Sequence, residues 1–240
     1  MIACDCEVCR SFDPKDKRLR TSILIEENDT VVAVDAGPDF RQQMLRENVT
    51  NLDAIVFTHA HKDHTGGLDD VRAFNYRLKK PMQVFADEPT LKVLKTQYDY
   101  AFHENPYPGS PKLETNLIGN RPFSVCGIEF APIDVLHKDL PVKGFRLGDF
   151  TYITDANYIS KIEKKKIAGS KILVLNALRK TKHYSHFSLE EAIELSKELG
   201  AEQTWFTHIS HQLGRHTAVS KELAKGVFLA YDGLRIEVCS

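Results

Sequence analysis

Ala54-Ile55-Val56-Phe57-Thr58-His59-Ala60-His61-Lys62-Asp63-His64-Thr65-Gly66-Gly67 is the stretch whose reading decides the fold. Residues 54–58 are a short, continuous apolar run, the mark of a strand buried on both faces. It leads straight into His59, His61, Asp63 and His64, four ligand-type side chains within six residues. Imidazole and carboxylate suit zinc, manganese or iron. His59 and His61 alternate, so an extended strand end points both the same way. Asp63 and His64 come from the turn that follows, and one segment can feed two adjacent metals. Gly66-Gly67 gives the backbone freedom to turn sharply beside them. A lone histidine would read as a solvated loop residue; four ligand types at this spacing after an apolar strand do not.

Outward from this stretch the chain reads as short strands interleaved with helices. Residues 21–25 and 30–35 are apolar and β-branched around the polar turn at 26–29, a hairpin pattern. Helical character follows at 40–47, 71–78 and 91–98, with a strand at 82–86. Residues 99–119 hold Tyr100, Phe102, Tyr107 and three prolines with little periodicity. They read equally as a functional loop or as a covering excursion. Further strands are expected at 123–135, paired around Cys126-Gly127, and at 145–147, 151–154, 172–175 and 204–207. Residues 188–199 form an amphipathic helix with Ser188 as N-cap and Glu191 closing a capping box, ended by Gly200. A closing hairpin is expected over 227–238 through Asp232-Gly233. Two packed sheets with helices outside fit this order, in one domain spanning 1–240.

Cys4, Cys6 and Cys9 supply three thiolates within six residues, out of five cysteines in the chain. An even, spread-out count would suggest disulfides; a tight cluster in a reducing compartment points to metal. Tetrahedral zinc needs a fourth ligand. Cys126, Cys239, His183, His211 and His216 are the candidates, and spacing alone does not choose among them.

The bulk numbers bound the function. The chain has 240 residues, 42% hydrophobic and 27% charged, ordinary for a globular protein with a full core. A formal net charge of −1 gives no global field favouring nucleic acid or an anionic membrane. Lys164-Lys165-Lys166 is the dense basic run, and it reads as a solvated helix face. No apolar run approaches bilayer length and the start carries no basic-then-apolar leader, so a cytoplasmic protein is expected.

His59-Ala60-His61-Lys62-Asp63-His64 resembles the HxHxDH signature of the metallo-β-lactamase fold. The resemblance implies an α/β protein built as an αββα sandwich with metals at one edge of the sheets. It also implies downstream ligands in a set order, and His137, Asp155 and His208 each end an apolar strand in that order. Asp155 would bridge the metals. Asp35, in Val-Asp-Ala-Gly-Pro-Asp-Phe, resembles a strand-end position that orients a ligand histidine. Cys4-x-Cys6-x-x-Cys9, together with the segments 35–40 and 67–72, resembles the PhnP-type phosphodiesterases of the carbon–phosphorus lyase pathway. In that group a histidine three residues after the last active-site histidine completes a structural zinc, which implies Cys4, Cys6, Cys9 and His211. Such relatives normally carry a strand and a glycine-rich turn before the cysteines. Here either the native start lies upstream or the sheet lacks that strand.

The resemblance thus implies metal-assisted hydrolysis of a small phosphodiester, with a cyclic ribosyl phosphate as substrate. Two Zn²⁺ or Mn²⁺ ions about 3.5–4 Å apart would activate water. His59, His61 and His137 would hold one; Asp63, His64 and His208 the other; Asp155 would be shared. His186 is expected to protonate the leaving group, with His183 as the fallback, so Asp63, Asp155 and His186 carry the chemistry. Arg179 or Arg72 could grip a terminal phosphate. A ribonuclease Z-like nuclease would share the metal site, but would add a basic arm for transfer RNA. Lactone or thioester hydrolysis is the same site on another substrate. A zinc-stapled binding protein without catalysis is the remaining rival, and it would be expected to have lost ligands. A small-molecule partner, no membrane and no nucleic acid are expected, with a homodimer suggested by family habit.

Overall fold

A computed structural model describes residues 1–238. The chain forms two compact units: residues 20–130, and residues 1–19 together with the chain from Ala131 onward. Each is described by itself.

The unit of residues 20–130 is built on a five-stranded sheet. β1 (Ile23–Glu27) and β2 (Thr30–Val34) form the expected hairpin, with Glu27 opposite Thr30. After helix α1 (Phe40–Arg46), β3 (Ala54–Val56) pairs parallel with β2, all three of its residues buried. Its run of small and β-branched residues suits a strand covered on both faces. The short helix α2 (Lys62–Thr65), a 3₁₀ turn at Leu68–Val71 and helix α3 (Arg72–Leu78) follow. β4 (Met82–Ala86) extends the parallel sheet, and helix α4 (Glu88–Gln97) starts from Asp87, whose carboxylate caps the Thr90 N–H. Phe40, Leu52, Phe57, Leu68, Val84 and Leu94 pack the core.

The irregular segment 99–119 is more ordered than its composition suggests. It holds a short helix α5 (Asp99–Phe102) and a strand β5 (Leu113–Leu117) that pairs parallel with β4 and ends the sheet order. Leu-Glu-Thr-Asn-Leu hides its periodicity because an edge strand needs no second apolar face. β6 (Phe123–Val125) then pairs around Cys126-Gly127 with the first residues of β7 (Ile128–His137).

In the other unit, β7 continues into a mainly antiparallel ladder with β8 (Leu140–Leu147) and β9 (Phe150–Ile153). β10 (Tyr158–Ile159) joins the far side of β7. Helix α6 (Lys161–Ile167), capped by Ser160, carries the lysine run. β11 (Ile172–Asn176), helix α7 (Leu189–Leu199) and β12 (Gln203–Thr207) form a parallel crossover, β9, β11 and β12 lying side by side. The capping box at Ser188 and Glu191 forms, and Gly200 ends α7 with φ +69°. Helix α8 (His216–Ser220) precedes β13 (Val227–Leu229). The expected closing hairpin over 227–238 does not form. β13 pairs parallel with β12, and among the described residues no strand follows it. Asp232 instead accepts the Leu19 N–H at 3.1 Å, so its turn anchors the N-terminal segment rather than a second strand. Ile133, Ile153, Leu175, Phe187, Leu195 and Phe206 fill the core of this unit. No helix among the described residues is long and apolar enough to cross a membrane.

Candidate metal centres

In the unit of residues 20–130 the histidine motif leaves β3 in extended backbone and enters α2 at His61, whose φ and ψ are −61° and 147°. The alternation brings the rings together. His59 and His61 have centroids 4.6 Å apart, and His59 and His64 4.4 Å. Asp35, directly after β2, is fully buried and organises the group. Its Oδ2 receives His64 Nδ1 at 2.7 Å. Its Oδ1 accepts the Thr58 N–H at 2.8 Å, and the Thr58 hydroxyl reaches both oxygens. A histidine whose Nδ1–H is taken by a carboxylate presents the Nε2 lone pair, the state a metal requires. Burial pushes the Asp35 carboxyl up from its ordinary value, against the pull of His64 and the Thr58 hydrogen bonds.

The glycines serve a different purpose from the one expected. Gly66 and Gly67 both have negative φ, −66° and −104°, and any residue could adopt their turn. Crowding demands them instead. A Cβ on Gly67 would collide with the Gly37 carbonyl and Phe40, and one on Gly37 with the Asp63 carbonyl. Backbone bonds Ala36 N–His64 O and Gly67 N–Ala36 O, both 2.8 Å, draw the segments that close together.

In the other unit the donors come from separate strand ends. His137 ends β7, Asp155 follows β9, His208 follows β12, and His186 lies in the loop before α7. His186 has its ring 4.5 Å from His137 and 4.9 Å from His208. His208 Nε2 is 3.2 Å from Asp155 Oδ2. Ligand atoms of His137, Asp155 and His186 lie within 4.8 Å of one another. His137 donates Nδ1–H to the Ser185 carbonyl at 2.8 Å and thereby presents Nε2. Burial, with His208 beside it, lowers the pKa of His186 to about 3, so its imidazole is neutral. His183 sits at the edge of the group, 5.1 Å from His186, with Nδ1 accepting the Ser185 N–H at 3.3 Å.

Asp35, Asp155 and His208 all take left-handed backbone, with φ of +67°, +52° and +52°. Such angles cost energy in non-glycine residues and persist where the surroundings enforce them. Asn176, fully buried at the end of β11, does so for Asp155. It accepts the Ala156 N–H at 2.8 Å and donates to the Ala156 carbonyl at 2.9 Å. The sequence reading passed over Asn176 and Thr58. The available signal was a polar residue closing an otherwise apolar strand, as in Ile-Leu-Val-Leu-Asn.

Cys4, Cys6, Cys9 and His211 form a third group, their ligand atoms all within 4.8 Å. His211 Nδ1 is 3.4 Å from both Cys4 Sγ and Cys6 Sγ. The Cys9 N–H donating to Cys6 Sγ, with His211 beside it, lowers the Cys6 pKa to about 6. Of the other candidates for fourth ligand, His216 is engaged by Arg18 at 3.0 Å and Cys239 lies outside the described residues. Three thiolates and an imidazole fit a closed, tetrahedral zinc; the imidazole and carboxylate sets fit hard or borderline divalent ions. Arg179 does not present its fork outward. It donates to the carbonyls of Thr181 and Lys182 and to Gln212. Arg72 lies 3.5 Å from Asp69.

A profile of the beta-lactamase superfamily domain matches residues 30–209, running through both units. The chain belongs to the metallo-β-lactamase superfamily. A crystal structure of a new diphosphatase from the PhnP family is 37% identical with a TM-score of 0.91, over 99% of this chain and 92% of that one. Zinc-bound PqqB from Methylobacterium extorquens, at 20% identity and TM-score 0.73, and the short form of human tRNase Z, at 16% and 0.69, share the fold. Among curated proteins, an octanoyltransferase from Porphyromonas gingivalis is 35% identical over 97% of this chain but 48% of its own length. The chain therefore spans about half of that relative. A ribonuclease Z from Methanopyrus kandleri is 22% identical over 94% of both chains. The fold and the motif are those of the superfamily's metal-dependent hydrolases, and the fold implies divalent metal ions.

Proposed function

We propose that the chain is a phosphodiesterase of PhnP type that works with a pair of metal ions. The donor inventory supports the reading most directly. The chain carries all seven ligands that the family resemblance implies. His59, His61 and His137 would hold one ion, Asp63, His64 and His208 the other, with Asp155 shared. When bound, such ions supply Lewis acidity and bring the pKa of water down to roughly 7. Asp35 and the Ser185 carbonyl fix the tautomers of His64 and His137. His186 passes its proton to the departing oxygen. It is neutral in the free protein, and a phosphate anion against it supplies the charge that favours its protonation. Cys4, Cys6, Cys9 and His211 hold a structural zinc.

The substrate is a small phosphodiester, a cyclic ribosyl phosphate being the form suggested by the PhnP resemblance. The similarity to a diphosphatase makes a phosphoric anhydride the second reading. Turnover of a five-membered cyclic ribosyl phosphate, a dinucleoside diphosphate, a precursor transfer RNA and an octanoyl thioester, each with wild type and Asp155→Ala, separates the alternatives. Selective hydrolysis of the cyclic diester, reduced at least 100-fold in the variant, is expected. Preferred turnover of any other substrate, or full activity in Asp155→Ala, overturns the proposal.

A further inference from the structure

The loop of residues 179–187 carries His183 and His186, and its ends are well tied. Ser210 N–H donates to Leu178 O at 2.9 Å, Leu178 N–H to Phe187 O at 3.0 Å, and Leu189 N–H to Arg179 O at 2.9 Å. Its outer turn has no ladder partner and curls instead around one side chain. Arg179 Nε donates to Thr181 O at 3.2 Å and Nη2 to Lys182 O at 3.0 Å. The remaining arm, Nη1, donates to Gln212 Oε1 at 3.1 Å. Gln212 follows His211, the imidazole of the thiolate group. The Gln212 N–H is itself held by Ser210 Oγ at 3.2 Å. Arg179 is thus a three-way brace between the side chain of Gln212, the neighbour of His211, and the backbone that carries His183. Beyond it, Asn157 Nδ2 reaches Tyr184 O and His137 Nδ1 reaches Ser185 O.

We infer that Arg179 is a positioning residue that couples the thiolate metal site to the histidine-bearing loop. A shift of His211 moves Gln212, and the guanidinium transmits it to Thr181 and Lys182, and through them to His183 and His186. The planar fork is required, because an ammonium is a point donor that cannot serve three acceptors in fixed directions. The catalytic consequence rests on the phosphodiesterase reading above; the mechanical coupling does not.

The test is amide hydrogen exchange on the intact, metal-loaded chain, with diester turnover in parallel, for wild type, Arg179→Lys, Cys6→Ser and the double variant. Arg179→Lys and Cys6→Ser should each raise exchange within 180–187 by about tenfold, and the double variant should add little, as expected for residues sharing one path. The turnover of Arg179→Lys should fall on the order of 10–100-fold, mostly in kcat, at unchanged metal content. Wild-type exchange across 180–187 in Arg179→Lys, or effects that simply multiply in the double variant, would overturn the inference. Gln212→Leu, at an exposed side chain, takes the place of Cys6→Ser if that variant does not fold. If the wild type turns over no diester, the phosphodiesterase reading fails while the exchange result still decides the coupling.

Discussion

The two histidine groups are built in opposite ways. In the unit of residues 20–130, His59, His61, Asp63 and His64 hang from one turn, and the buried Asp35 holds His64 directly and, through Thr58, the start of the motif at His59. In the other unit, His137, Asp155, His186 and His208 come from four separate places in the chain. They are held by register between parallel strands and by backbone clamps at Asn176 and Ser185. A local group concentrates its risk in one residue, and a distributed group spreads it over the sheet.

The largest effect should therefore come from Asp35→Ala. It strips the partner from His64 Nδ1, the Thr58 N–H and the Thr58 hydroxyl at a fully buried position. Losing one side of such a pair costs about 3–5 kcal/mol. Chemical denaturation should show a loss of that size; a loss under about 1 kcal/mol would break the comparison. Asn176→Ala should cost less, about 1–3 kcal/mol, since two buried groups on Ala156 lose partners while the register survives. It should also weaken metal binding, because Asp155 is the ligand proposed to be shared by both ions, which metal titration with histidine NMR can check. If it costs more than Asp35→Ala, the distributed group has its own single point of failure.

The smallest effect concerns pH. Burial, with Arg18 beside it, lowers the pKa of His216, so the folded state binds fewer protons there than the unfolded chain. His216 Nδ1 can accept from Arg18 only when neutral. Its contribution to stability is full above the ordinary histidine value of about 6.5 and declines as pH falls below it. His216→Gln keeps an acceptor for Arg18 and should flatten this part of the profile, by a few degrees in Tm at pH 5. An unchanged slope would place the acid sensitivity elsewhere.

The same contrast explains how far the sequence could be read. The contiguous motif, the apolar strand before it and the three clustered thiolates are local patterns. The capping box at Ser188 likewise needs four neighbouring residues. The buttresses are not local. Asn176 meets Ala156 only because β9 and β11 lie parallel, and the Ser185 carbonyl carries no sequence signal at all. β5 escaped because an edge strand can be polar. The C-terminal segment was misread because Asp232-Gly233 marks a turn without saying what the turn contacts. The need for glycine at 66–67 was legible, but its cause is crowding between chain segments, which no local pattern reveals.

The central proposal is that the chain works as a two-metal phosphodiesterase. Metal content per chain, measured with diester hydrolysis for wild type, His59→Ala and His208→Ala, tests it most directly. The account predicts about three metals in the wild type, one of them thiolate-held. Either substitution alone should then abolish hydrolysis and deplete the pair. Variants that each lose one metal independently, with hydrolysis surviving in one of them, would contradict it.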